Sequence, residues 1–421
     1  MEVGYSSQMD GDKLPDGEVV RLPVWAMGLA NCSTGFVFGF LSSAMGILLV
    51  ARGVSVGQVG LISAISFSPT FWGWLLCPIL DVHFTKKTYA YVFSAAAAVL
   101  LGAAVLALGN LTVLTVLLTA SSVAVVLYMN AIQSWAPDIV SAAEYDAMGG
   151  WFNVANLGAA GVFSTLTIIF VRLLPLPVCA VLLALLVFAP ALLLVHFPVA
   201  VKPEGSLARN FASMGRDLHR VLREGRVWVG LLIFLSPVAF ALTNLFSSLG
   251  NGFGATERTV TTLNGPGVAV FCTLGCLLAI PMCGRFRRRT VYLMAGAGSA
   301  VAAASLGLLP HTVAIYACGV LAYNFFQGVN YATFTALQME IVGPRNALSG
   351  SMMAVLSASQ NVPISTMTWI DSRVHDSHGL RAMLLTDAGA SVTTAIVLLL
   401  LVLPALDRLM LHRQPKLEPI Q

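Results

Sequence analysis

The sequence is short of charge. Asp, Glu, Lys and Arg make up 10% of its 421 residues, against about 25% in an average soluble domain, and this excludes a water-soluble fold. Catalytic signatures are missing too. There is no Gly-x-Ser-x-Gly elbow, no His-Glu-x-x-His pair and no Gly-x-x-x-x-Gly-Lys loop, so the chain is read as no enzyme: neither a lipase, nor an intramembrane metalloprotease, nor an ATP-driven pump. The seven cysteines are odd in number. They sit in or beside apolar blocks without zinc-type spacing, and no disulfide, metal or cofactor is expected. The first 23 residues lack the basic, apolar and small-residue order of a cleaved signal and are read as a disordered cytosolic tail.

What is present is hydrophobicity. Residues of the apolar class reach 57% and the mean hydropathy is +0.83, with apolar blocks about twenty residues long, enough to cross a hydrocarbon core. Twelve spans follow, at 24–50, 57–80, 88–108, 111–135, 149–171, 176–197, 227–248, 265–283, 290–309, 312–338, 349–369 and 383–404. Each must be helical, because lipid satisfies no backbone polar group. Of the 23 Lys and Arg residues, 18 fall in the segments on the side of the N-terminus and 5 on the other, which puts both termini in the cytosol. The net charge of +4 is thereby explained by orientation, and no nucleic-acid partner is implied.

The chain divides into a tail (1–23), a six-span bundle (24–197), a linker (198–226), a second six-span bundle (227–404) and a second tail (405–421). In the linker Leu207, Phe211, Met214, Leu218, Val221 and Leu222 recur at helical spacing with Arg209, Arg216, Arg220 and Arg223 on other faces, predicting an amphipathic helix on the cytosolic membrane surface. The halves repeat at an offset of 202. Pro78-Ile-Leu-Asp81-Val-His-Phe84-Thr-Lys86-Lys87 corresponds to Ile280-Pro-Met-Cys283-Gly-Arg-Phe286-Arg-Arg288-Arg289, and Asp138-Ile-Val to Glu340-Ile-Val. Two pseudo-symmetric helical bundles are the expected architecture, with a substrate site between them near the midplane.

An acid at the end of span two followed by a tight basic turn, repeated in the second half, resembles the loop signature of the major facilitator superfamily. Asp81, Lys86 and Lys87 are in place, while Val82 stands where a basic residue is common and Cys283 replaces the acid of the second copy. The resemblance implies the all-α membrane fold of twelve transmembrane helices in two six-helix bundles, and secondary transport by alternating access. A narrower resemblance, to the peptide and acetyl-coenzyme A transporters that include the AmpG-type muropeptide permeases, rests on Trp74-Leu-Leu-Cys-Pro78-Ile-Leu-Asp81, Asp138-Ile-Val and Asn346-Ala-Leu-Ser-Gly-Ser351. Span four departs from it, carrying Asn130 and Gln133 where acids are usual in AmpG-like chains, and Glu144-Tyr-Asp146 lacks the arginine that follows there.

Candidate site residues follow. Asp81, Lys86, Lys87, Asp138 and Glu340 sit at helix ends, where an acid opposite a basic turn can hold one conformation; Lys86 and Lys87 also read simply as positive-inside residues. Asp387 is the only Asp, Glu, Lys or Arg inside the span limits, hence either a proton-coupling acid or a hydrated structural acid near the outer end. Asn324, Gln327 and Tyr331 share one face of span ten. With Asn31, Asn130 and Gln133 they are the substrate-contact candidates, since spans one, four, seven and ten line the cavity of the facilitator fold; interhelical hydrogen bonding is the other role for such residues. Phe325 and Trp135 supply aromatic surface. His375, His378 and Asp371 are placed in a solvated outer loop, where the histidines can sense external pH; the alternative, a divalent-metal site built from them, is weakly signalled by their spacing. No span contains Lys or Arg, so a polyphosphorylated solute would find no partner. The expected substrate is a small neutral, zwitterionic or weakly anionic amphiphile, peptide-like or sugar-like, with protons as the candidate coupling ion. The chain is expected to act as a monomer among the lipids of a bacterial inner membrane; the rival reading is a membrane interaction or signalling protein on a degenerate transporter fold.

Overall fold

A computed structural model describes residues 23–81, 84–198, 225–238, 240–344, 346 and 348–402, with four positions between 216 and 223. The expected tails, apart from Pro23, and most of the 198–226 linker, including the apolar residues of its predicted amphipathic helix, lie outside the described residues. Arg216, His219, Arg220 and Arg223 are described, and are helical and exposed.

No strand occurs among the described residues. Among the described residues eight stretches are long and apolar enough to cross a membrane: α1 (Val24–Val50), α3 (Lys86–Leu106), α4 (Leu111–Ile139), α5 (Ala142–Leu173), α6 (Leu176–His196), α8 (Glu257–Arg285), α9 (Arg288–Leu308) and Ser349–Leu400. The last is two rods, α11 (349–378) and α12 (380–402), because Gly379 takes φ 84° and ψ 178° within it. Only glycine adopts that geometry without strain. Three further segments complete twelve: α2 (56–81), α7 (225–253) and α10 (Val313–Val342). The chain therefore forms a twelve-helix transmembrane fold in two six-helix bundles.

Helix ends follow local chemistry. The side chains of Ser55, Thr85, Asn110, Thr256 and Thr312 each accept the backbone N–H three residues on, satisfying a donor that has no partner within the helix. Asn110 and Thr312 stand 202 positions apart, so the repeat extends to the caps. Prolines act unequally. Pro69 follows the end of a regular helix at Phe67, and α2 continues to Asp81 in short tight turns. Pro237 precedes a break in α7, where Phe240 takes φ 55° and a 3-10 turn runs over Ala241–Asn244. Pro363 lies inside an unbroken α11.

Within the first bundle α3 packs on α4 and α6; within the second, α8 and α9 pack on α10 and α9 on the α11–α12 pair. Gly35 and Gly39 face α5 so closely that a Cβ would lie 2.4 Å from the Asn156 carbonyl oxygen and 2.2 Å from that of Ala160, which is the close approach that small residues permit in membranes. Between bundles, α5 packs on α8 and α10, and α2 on α11. The outer surface is apolar, as a lipid-facing surface must be: α3 exposes Val92, Val99 and Leu106 at seven-residue intervals.

One expectation is corrected here. Residues 370–378 are not a loop, because nothing breaks the helix before Gly379. Asp371 is thereby carried inside α11 and is buried, while His375 and Asp376 stay exposed on its last turns. No group of three or more His, Cys, Asp or Glu is placed to hold a metal among the described residues.

Candidate functional site

Three groups of polar side chains depart from the apolar plan. The first joins the bundles at the end that carries the basic loops. Asp81, at the close of α2, accepts hydrogen bonds from the backbone N–H groups of Gly350 (2.8 Å) and Ser351 (3.0 Å) and from the Ser351 hydroxyl (2.9 Å). These N–H groups are the free donors at the start of α11, where the helix dipole favours an anion. Gly350 is required by the contact, since a Cβ there would lie 2.7 Å from Asp81 Oδ1. Lys86 donates to the Ser134 carbonyl oxygen (2.9 Å) and to the Ser349 hydroxyl, and its ammonium lies 3.6 Å from Asp138. It thus reads both its own bundle and the start of α11.

The equivalent positions of the second half repeat the pairing. Arg288 and Glu340, each 202 positions after Lys86 and Asp138, form an ion pair at 2.9 Å. The guanidinium also crosses to the first bundle, with Nε 2.6 Å and Nη2 3.2 Å from the two Asp146 oxygens, and donates to the Ala142 carbonyl oxygen at 2.9 Å. Asp146, at the start of α5, is thus paired with an arginine of the other bundle. Lys87 does something else: it donates to the Val195 (2.9 Å) and Phe197 (2.7 Å) carbonyl oxygens and ties α3 to the end of α6 within one bundle.

The second group lies along α10. The Thr243 hydroxyl, beyond the break in α7, is 3.2 Å from Asn324 Oδ1 and 3.3 Å from Gln327 Oε1. Gln327 Nε2 donates to the Tyr331 hydroxyl (3.3 Å), and the Cys272 thiol of α8 approaches Gln327 Oε1 at 3.6 Å. Asn324, Gln327 and Tyr331 are thus brought into one neutral hydrogen-bonding cluster. Asn153 of α5 abuts the same helix, donating to the Tyr331 carbonyl oxygen (3.0 Å) and the Thr335 hydroxyl (2.8 Å). The other candidates stand apart. Asn31 donates to the Phe152 carbonyl oxygen (3.2 Å) and accepts from Thr34 (2.7 Å), bonding α1 to α5. Asn130 donates to Val126 of its own helix, with its carbonyl oxygen unpartnered. Gln133 accepts from Ser357 of α11 at 3.5 Å. Trp135 is fully enclosed, edge-on to Phe197, and offers no surface to a solute in this state; Phe325 packs against Phe326.

The third group is acidic. Asp387 of α12 is 1% exposed and accepts from the Tyr323 hydroxyl at 3.4 Å. Asp371 of α11 is 0% exposed, with neither carboxyl oxygen hydrogen-bonded. Sequence reasoning placed Asp371 in a loop and passed over Tyr323, Asp146 and Arg288 as site residues. For Arg288 the signal was the 202-residue offset from Lys86; for Asp371 it was the lack of any helix breaker before Gly379.

A sequence-family profile described as Major Facilitator Superfamily matches residues 27–368. No curated protein sequence matches the chain. Among solved structures, the human organic anion transporter MFSD10 (TETRAN) superposes with a TM-score of 0.70 at 13% identity, covering 91% of this chain and 100% of that one. The proton:xylose symporter XylE bound to 6-bromo-6-deoxy-D-glucose gives 0.69 at 14%, covering 92% and 97%. A variant of the E. coli fucose:proton symporter FucP gives 0.66 at 15%, covering 89% and 98%. At these identities the likeness is one of fold.

Proposed function

The chain belongs to the major facilitator superfamily, and from that premise we propose that it is a secondary transporter that carries a small neutral or weakly charged solute across the membrane by alternating access. The observation that carries this reading is the set of crossings at the basic end. Asp81 and Lys86 on the start of α11 and Arg288 on Asp146 are polar contacts at the ends of helices, so they can part without unpacking either bundle. On this reading the state described here has that end closed. Its converse would break those contacts and open the midplane to the same side.

The neutral cluster of Thr243, Asn324, Gln327 and Tyr331 is the proposed contact surface for the solute. Hydroxyl and amide groups of this kind match a sugar-like or peptide-like substrate, and no Lys or Arg stands with them to hold a polyanion. The short motifs around Trp74–Asp81 and Asn346–Ser351 favour a place near the AmpG-type permeases. Protons are the proposed driving ion, with Asp387 as the coupling acid. The charge distribution supports an inner-membrane protein with both termini cytosolic, working as a monomer.

The test is an uptake and counterflow screen of sugars, amino sugars, short peptides and muropeptide fragments in proteoliposomes, with and without an imposed proton gradient. Saturable flux of one class, enhanced by the gradient, supports the reading. Ligand binding without flux would favour a signalling role. Reporter fusions placing 198–226 outside the cell would overturn the orientation.

A further inference from the structure

Asp371 and Asp387 lie eight residues before and eight residues after Gly379, where the chain reverses from α11 into α12. At 1.5 Å per residue each is about 12 Å inside the turn, so the two helices present them at one depth. The contacts of Met367 with Ala241, and of Ile364, Ile370 and Ala390 around them, hold α7, α11 and α12 in that register. Asp371 and Asp387 are within electrostatic range of one another and of the Tyr323 hydroxyl.

No cation pairs with either carboxyl group among the described residues, and Arg373 of α11 lies over the Trp369 ring, 5.4 Å from its centroid. From α10 the facing titratable group is Tyr323. From α7 the neighbours are Leu242, Thr243 and Asn244, and α9 approaches α12 through Gly307 against Leu384 and Leu385, none of them titratable. A buried carboxyl group without a hydrogen bond, such as Asp371, is costly. Two buried carboxyl groups within electrostatic range of each other, with no cation paired to either among the described residues, do not both carry charge.

Tyr323 connects this pair to the solute cluster. Its hydroxyl donates to Asp387 and accepts the Leu242 N–H at 3.4 Å, a donor freed by the break in α7. The next residue of α7 is Thr243, on Asn324 and Gln327; the next residue of α10 is Asn324 itself. A second contact runs from the same turn of α7 to α11, where Asn244 donates to Thr368 at 3.3 Å, one helical turn before Asp371.

We propose that Asp371 and Asp387 form a proton-binding pair outside the central cavity, and that Tyr323 relays its occupancy to the broken segment of α7 and so to Thr243. The chemistry is reversible O–H bond formation. A proton arriving from one side of the membrane bonds to a carboxylate oxygen of the pair and leaves from the same oxygen to the other side, with no other bond changed. While Asp387 is ionised it is a strong acceptor for Tyr323; when the pair takes its second proton that acceptor weakens, the Tyr323–Leu242 bridge loosens, and Thr243 leaves Asn324 and Gln327. The consequence for flux rests on the transporter reading, but the proton site does not.

The full chain in lipid nanodiscs tests it without a substrate. Infrared difference spectra recorded against pH, with and without sodium, should show a protonated-carboxyl C=O band that shifts in D2O and is lost in the Asp371→Asn/Asp387→Asn double variant. Deuterium uptake by a peptide spanning 236–246 should change with pH in the wild type and be pH-independent in Tyr323→Phe. A band unchanged in a double variant that elutes and unfolds like the wild type would overturn the site, and a band displaced by sodium would make it a sodium site instead. If the double variant does not fold, Asp371→Asn alone decides: it must alter the frequency or the pH midpoint of the band, and an unaltered band overturns the proposal. A pH-dependent band and peptide with no flux of any solute would instead count against the transporter reading.

Discussion

Asp81 and Gly350, 269 positions apart in the chain, are joined by a 2.8 Å hydrogen bond from the backbone N–H of the glycine to the carboxylate. The bond places the one acid of the first basic turn on the first free donors of α11 and makes a helix end, rather than a side chain, its partner across the bundles. Because it bridges the two bundles at their basic ends, changing either residue should move the balance between states more than the stability of either bundle.

Asp81→Asn keeps the size and one acceptor oxygen but removes the charge from the helix start. The loss is about 1–2 kcal/mol, a five- to thirty-fold shift toward the state open at the basic end. Gly350→Ala should act in the same direction, because its Cβ meets Asp81. Spin-label distances between the basic ends of α2 and α11 would read the shift. Unchanged distance distributions in both variants would remove Asp81 from the gate.

Arg288 joins Asp146 and Glu340 in a partly exposed setting, with side-chain exposures of 18%, 14% and 44%. Its coupling to Asp146 therefore falls between surface and buried pairs, at about 1–3 kcal/mol. Arg288→Ala should lower thermal stability only modestly and open the basic end, and the swap Arg288→Asp with Asp146→Arg should recover part of the closed population. A double-mutant cycle with no coupling energy would contradict this.

Replacing Thr243 by Val deletes one hydroxyl bridging Asn324 and Gln327, worth about 0.5–1.5 kcal/mol. Once a solute is identified, its KM should rise about three- to tenfold, with a fall of only a few degrees in the unfolding temperature. Gln327→Leu should have the larger effect, since Thr243, Cys272 and Tyr331 all lose a partner. Wild-type transport by both variants would place the solute elsewhere.

Gly379→Ala forces a side chain into φ 84° and should cost at least about 1 kcal/mol. The strain sits at the turn that sets Asp371 and Asp387 level, so its effect should reach them. Thermal unfolding in detergent measures the cost, and wild-type stability would show that the turn has another available geometry.

Much of the molecule is decided by one-dimensional properties of the chain. Segment length and hydropathy set the spans, because lipid leaves a backbone no choice but the helix, and Ser, Thr and Asn at the starts of α2, α3, α4, α8 and α10 set where helices begin. The 202-residue repeat carries the two-bundle plan down to matched ion pairs, Lys86 with Asp138 and Arg288 with Glu340. The neutral cluster on α10 was legible because 3.6 residues per turn puts Asn324, Gln327 and Tyr331 on one face. What periodicity cannot carry is which element faces which. Asp371 reads as a loop residue until α11 is seen to run on to Gly379, and its nearness to Asp387 arises only when the chain folds back there. Asp146 gains an arginine only because α5 meets α9 across the bundle interface. Asn31, polar and mid-span like its fellow candidates, is occupied by Thr34 and the Phe152 backbone. Such pairings depend on helix rotation and on contacts between residues far apart in the chain, and only the packed tertiary structure decides them.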